Sequence, residues 1–274
     1  MVQYLNLNQQ LSKTLYIKQG TGSGSGSAAD PYYYSERAAA ETAAGSGGTI
    51  LFTDGSYDSA SNWATSTSLG ITYQAINPLA AIINNTNASA NHSFVISTCT
   101  DTTNAPSFKD LKFIDTGIQH YGATTFFTPA DSFKVEGCHF KIESRNLQGV
   151  GFFYNGSAKN ERIYNNVIEL ITPTGGTAWI YGNTGTDFKG NTVYMNAATG
   201  TYGNGASLSG AKNNIFYCND AARIGTYDIA TNGSNNLFYL WGSGQSGGTD
   251  TLIGSDPLFV NSAGSDFRLR PSSP

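Results

Sequence analysis

The sequence predicts an all-β fold: a single-stack right-handed parallel β-helix (a β-solenoid) with a short N-terminal capping helix. Three observations predict it. A short motif recurs every 22 to 28 residues, each copy alternates inward and outward residues with period two, and turn-forming residues abound while charged residues make up only 12%. Helical repeat families need roughly 33 to 47 residues per unit and a 3.6-residue periodicity, which this chain lacks.

The motif is a polar or turn pair followed by alternating residues that end in a large apolar one. Its copies are DLKF (110–113), GCHF (137–140), NNVI (165–168), GNTV (190–193), NNIF (213–216) and NNLF (235–238). The closing residues Phe113, Phe140, Ile168, Val193, Phe216 and Phe238 are separated by 27, 28, 25, 23 and 22 residues, one coil per repeat. If Phe216 points inward, Ile215 and Tyr217 point outward. Equal positions on neighbouring coils should lie ~4.8 Å apart, so about nine coils make a rod roughly 45 Å long. The second motif position then forms a column, Leu111, Cys138, Asn166, Asn191, Asn214 and Asn236. The stacked Asn166, Asn191, Asn214 and Asn236 are expected to form a structural ladder that satisfies buried turn groups rather than a binding site.

Upstream, the segments 47–59, 69–76, 93–99 and 107–115 each carry a short strand flanked by turn formers. Segments 149–156, 176–182, 205–210 and 222–228 read as strands of a further sheet. The one helix expected spans 32–44, started by Asp30-Pro31 and stopped by Gly45, and is placed to cover the first coil. The glycine-serine run 20–30 reads as a flexible connection, not a phosphate loop, because no βαβ unit surrounds it. Residues 1–46 therefore form an N-terminal segment and 47–274 the β-helix.

Two stretches resemble a known superfamily. The opening LYIKQGTGSGSG (15–26), the helix, and GGTILFTDGSYDS (47–59) are similar to the start of pectate-lyase-like β-helix proteins. The ending DPLFVNSAGSDFRLRPSSP (256–274) looks like their closing coil. The resemblance implies the fold; for activity it spans lyases, hydrolases, surface proteins and phage tailspikes. It implies, for lyases, a calcium site of acidic side chains with an Arg or Lys base nearby, and for hydrolases a close group of aspartates.

A net charge of −4 with scattered basic residues excludes nucleic acid as the expected partner, and no window of 18 apolar residues reads as a membrane span. The first 20 residues lack a secretory leader's pattern, which suits assembly in a host cytoplasm. Cys99, Cys138 and Cys218 show no metal spacing and read as reduced, buried thiols. His92 and His120 stand isolated, so no metal and no cofactor is expected. In the motif register no column holds two acidic residues. The best charged cluster is Lys141, Glu143 and Arg145, with Glu169 one coil on and His139 beside it; Lys141 and Glu169 also fit an ordinary ion pair. Tyr194, Ile215, Tyr217, Leu237, Tyr239 and Trp241 share outward parity, an apolar stripe expected to meet a partner subunit or stack on sugar. The alternative for the stripe is cover by a loop such as 242–250. Together these readings favour a non-enzymatic virion protein, a phage capsid decoration, fibre or tailspike module, expected as a homotrimer contacting other virion proteins and a cell-surface polysaccharide. The alternatives are an extracellular polysaccharide lyase or glycoside hydrolase acting around Lys141, Glu143, Arg145 and Glu169, and a bacterial surface adhesin.

Overall fold

The computed structural model describes residues 13–59, 63–65, 69–85, 92–96, 105–118, 123–127, 132–144, 150–152, 160–172, 178–181, 186–197, 205–208, 210–218, 233–240 and 249–274. The chain is a parallel β-solenoid. Among the described residues its coils supply an eight-stranded sheet A, a nine-stranded sheet B and a six-stranded sheet C, followed by a two-stranded hairpin. Sheet A ends at strand Asp187–Lys189, sheet B runs from Gly55–Ser59 to Leu252–Ile253, and sheet C from Trp63–Thr65 to Gly205–Ser207.

The core follows from the period-two pattern. Tyr57, Ile83, Phe113, Phe140, Ile168, Val193, Phe216 and Phe238 stack in register on sheet B. None of them is more than 1% exposed. The Phe113–Phe140 and Phe216–Phe238 rings lie parallel with centroids 4.8 and 4.9 Å apart, the spacing of the coils themselves.

The corner between sheets A and B explains the motif's polar pair. Its first residue adopts a left-handed conformation on coil after coil: Asp110, Gly137, Asn165, Gly190, Asn213, Asn235 and Asp250 all have φ between 54° and 67°. Asn, Asp and Gly tolerate that region best. Gly190 is also required by space, since a Cβ there would sit 2.3 Å from Asn165 Oδ1. The second residue builds the ladder. Asn166 Oδ1 accepts the Cys138 N–H (2.9 Å), Asn191 Oδ1 that of Asn166 (2.9 Å), Asn214 Oδ1 that of Asn191 (2.8 Å) and Asn236 Oδ1 that of Asn214 (3.0 Å). The amide groups donate to carbonyls on the sheet A side of the corner: Asn166 to Val135, Asn191 to Ile163, Asn214 to Phe188 and, one coil beyond the last strand of sheet A, Asn236 to Ala211. At the head of the ladder, burial pushes the Cys138 thiol up to about 12, so it stays protonated.

At the N-terminal end the helix is shorter than the expected 32–44. Tyr32 and Tyr33 pair as a strand with Ile17 and Lys18, Tyr34–Glu36 is a 3-10 turn, and α1 spans Arg37–Ala44. Sheet pairing captures the first tyrosines before the alanine-rich stretch can propagate backwards. The glycine-serine run is built, not a flexible tether. Glu36 accepts the N–H groups of Gly24 (3.0 Å) and Tyr33 (3.1 Å), and Asp30 those of Ser25 and Gly26. Gly24 has no room for a side chain, because a Cβ would meet the Pro31 carbonyl at 2.2 Å.

Candidate functional site

The outer face of sheet B carries the predicted stripe, and most of it is covered. The hairpin of Phe259–Asn261 and Asp266–Leu269 folds back onto this face. Phe259 and Phe267 form a second buried cluster with Tyr194, and Val167, Ile215 and Tyr217 pack against it. Tyr194 lies 5.4 Å from Tyr217 and 5.2 Å from Phe267, centroid to centroid. Leu237 is only 7% exposed. Tyr239 is half-buried and stacks on Tyr217 at 5.3 Å; Trp241 lies outside the described residues. Among the described residues the stripe expected to be open is docked under the terminal hairpin; most of the loop 242–250 lies outside the described residues.

The charged cluster divides in the same way. Glu169 is 1% exposed; it meets His139 Nε2 at 2.5 Å and accepts the Ser265 hydroxyl at 2.9 Å. A serine held on the carboxylate rather than on the imidazole is not a nucleophile–base pair. The carboxylate instead pins the hairpin to the sheet. Lys141 stands in register with Glu169 and Glu143 with Ile171, both half-buried, and Arg145 lies outside the described residues. Among the described residues no group of three or more His, Cys, Asp or Glu is placed to hold a metal ion.

The outer face of sheet A carries charge in register. One column runs Ser107, Lys134, Arg162, Asp187, and its neighbour runs Lys109, Glu136, Tyr164, Lys189, Lys212. Five successive coils therefore each contribute one cation: Lys109, Lys134, Arg162, Lys189 and Lys212. Less the two carboxylates Glu136 and Asp187, the strip holds +3 in a chain of net −4. Lys134 meets Glu136 at 2.6 Å and Lys189 meets Asp187 at 2.7 Å, both partly exposed pairs that exchange partners at little cost.

Arg162, Tyr164, Asp187 and Lys189 make a quartet over two coils. The Tyr164 hydroxyl donates to Asp187. Burial, with the neighbouring Asp187 carboxylate, pushes the Tyr164 phenol up to about 12. Burial alone would raise Asp187, but hydrogen bonds from Lys189 and Tyr164 and the nearby Arg162 outweigh it and hold the carboxyl below its ordinary value. The sequence reading missed this strip because it sought register only around the motif's apolar residue. A signal was present: Lys109, Lys189 and Lys212 each stand two residues before the ladder position, and Lys134 and Arg162 four before it.

A third feature is a cleft of about 850 Å³ at the N-terminal end of the rod, between the start of α1, the turn after Lys18, and the first strand of sheet B.

No protein-family profile matches the sequence, and no curated protein matches it. Among solved structures, a single-substitution mutant of the PL6 family alginate lyase AlyGC is similar over 88% of this chain and 37% of that one, with a TM-score of 0.51 at 15% identity. The same enzyme without the substitution gives 0.48 at 14% identity over the same shares. The chain thus spans little more than a third of the length of these counterparts. The first of these is an alginate lyase, which counts against the leading expectation of a non-enzymatic virion component and carries its polysaccharide-lyase alternative into the proposal below. At this identity the likeness establishes the fold: the chain shares the parallel β-helix architecture of these proteins.

Proposed function

We propose that the protein acts on an acidic polysaccharide, holding a polyuronate strand along sheet A and cleaving it as a lyase. The observation that carries this reading is the strip of one cation per coil over five coils. Successive coils repeat at ~4.8 Å, close to the length of one sugar unit in an extended chain, so consecutive carboxylates would meet consecutive cations.

Lyase cleavage is a β-elimination. A base removes the proton beside the carboxylate, the electron pair forms the C4–C5 double bond, the C4–O bond breaks, and the leaving oxygen takes a proton. Cations at the carboxylate stabilise the charge that builds up there. Arg162 and Lys189 suit that role, and the protonated phenol of Tyr164 between them suits delivery of the final proton.

The test is incubation with alginate, polygalacturonate and a neutral glucan, following the ultraviolet absorbance of the new double bond. Product is expected from a polyuronate and not from glucan. The double variant R162A/K189A should raise KM about tenfold or more, and Tyr164→Phe should lower kcat. Absence of unsaturated product from every polyuronate would overturn the lyase reading.

A further inference from the structure

The cleft at the N-terminal end has the groups of a sugar site. Its walls include Gln19, Tyr34, Arg37, Ser56, Asp58 and Ser59. Its volume of about 850 Å³ lies in the range that small ligands occupy. The first strand of sheet B, Gly55–Ser59, forms one wall; among the described residues it is an edge strand that pairs with Ala81–Asn85 on its inner side. The opposite wall is the start of the capping helix.

Three features fix the chemistry. Arg37 is oriented by Glu41 on the next turn of α1, with Nε 3.6 Å from Oε1, and its side chain is mostly buried at 19% exposure. Asp58, which lines the same cleft, is exposed but not loose: it accepts from the Ser56 hydroxyl (3.2 Å) and the Asn84 amide (2.9 Å). Between them stands Tyr34, hydrogen-bonded to Ser59, its ring edge-on to Tyr57 with centroids 5.4 Å apart. Burial raises the Tyr34 phenol above its ordinary value, so it stays a neutral donor at physiological pH. A fixed cation, a fixed carboxylate and a neutral phenol in one cleft match a ligand with an anionic group at one end and hydroxyls at the other. A phosphate or sulfate would use Arg37 but be repelled by Asp58. An extended peptide would use the strand edge and need neither charge.

We infer that this cleft binds a single uronic-acid unit, Arg37 taking its carboxylate and Asp58 its adjacent hydroxyls, at a site separate from the sheet A strip. The choice of sugar rests on the polyuronate reading above; the cleft's geometry does not. It would hold the end of a chain, or a released product, about the capped end of the rod.

The experiment titrates the protein with glucuronate, galacturonate, glucose and inorganic phosphate, following backbone amide shifts. Shifts at Gln19, Tyr34, Arg37, Ser56 and Asp58 are expected with a uronate, and little with glucose or phosphate. Asp58→Ala should weaken binding about tenfold, a loss of ~1.4 kcal/mol, with Ser56→Ala as a second variant that removes only the hydroxyl orienting Asp58. R162A/K189A should leave cleft binding unchanged even if polymer cleavage fails, which separates this site from the strip. Uronate shifts confined to sheet A, equal binding of phosphate, or full affinity in both cleft variants would each overturn the assignment.

Discussion

Asn214→Ala tests the ladder on which every other placement depends. The side chain is buried, with Asn214 1% exposed. Its Oδ1 is the acceptor for the Asn191 N–H at 2.8 Å, and its Nδ2 donates to the Phe188 carbonyl at 3.1 Å and to Asn236 Oδ1 at 3.0 Å. Asn236 Oδ1 keeps a second donor, the Asn214 backbone N–H, which the substitution leaves in place. Asn191 Nδ2 likewise keeps the Ile163 carbonyl. Truncation therefore strands one buried group, the Asn191 N–H, because the Phe188 carbonyl keeps the Lys212 N–H at 3.0 Å. At ~1–3 kcal/mol for an unsatisfied buried group, the expected loss is about 2 kcal/mol, before any term for the space left behind. Urea unfolding followed by tyrosine and tryptophan fluorescence reads the loss as a lowered midpoint, and amide exchange should report lost protection at Asn191. The control is Asn213→Gly at the adjacent exposed left-handed position, where φ is 57° and glycine is at ease. It should be near neutral. A loss under ~1 kcal/mol for Asn214→Ala, or one equal to the control's, would refute the claim that the ladder carries buried amide and carbonyl groups.

Three further outcomes are expected. Gly190→Ala places a methyl at φ 67° and 2.3 Å from Asn165 Oδ1, so it should cost ~2 kcal/mol or more by the same urea titration; a neutral result would mean the corner shifts freely. Tyr217→Asp sets a charge under Phe259, whose ring centroid lies 5.4 Å away, so limited proteolysis should cut the terminal hairpin well before the solenoid, and unchanged cleavage would show the hairpin docks without that contact. For pH, Asp187 is held below its ordinary 3.8, so its contribution is present above that value and lost as pH falls through the lower folded value. Tyr164, raised to about 12, favours the folded state until pH climbs past the unfolded phenol's value of ~10, and its contribution is lost between there and 12. Lys189→Ala should raise the Asp187 pKa measured by NMR, and an unmoved titration would sink the proposed pairing.

The solenoid was legible because its physics is local and repeated. Phe113, Phe140, Phe216 and Phe238 recur at coil length, and the paired asparagines expose the corner that satisfies them. What hid from the sequence was long-range. Phe259 and Phe267 lie far along the chain from Tyr194, and nothing in their spacing says that they fold back to cover it. The outward parity of Tyr194 and Tyr217 was readable, but parity does not tell whether an outward face meets water. Glu169 looked like half of a surface ion pair with Lys141 because register was visible and the arrival of Ser265 was not. Helix propensity at 32–36 was likewise overridden by pairing of Tyr32 and Tyr33 with strand Thr14–Lys18.

The corner between sheets A and B has a consequence for how such a chain can change. Lys134, Arg162 and Asp187 each precede Cys138, Asn166 and Asn191 by the same four residues, while the ladder residues themselves are 28, 25, 23 and 22 apart. All variation in coil length therefore falls after the sheet B strand and before the next sheet A strand. The molecule is bound like a book along one spine, with pages cut to different widths. Insertions and deletions along the free margin would leave the spine, and the charges riding beside it, in alignment. Evolution could rework one side of the rod while the other kept its gauge.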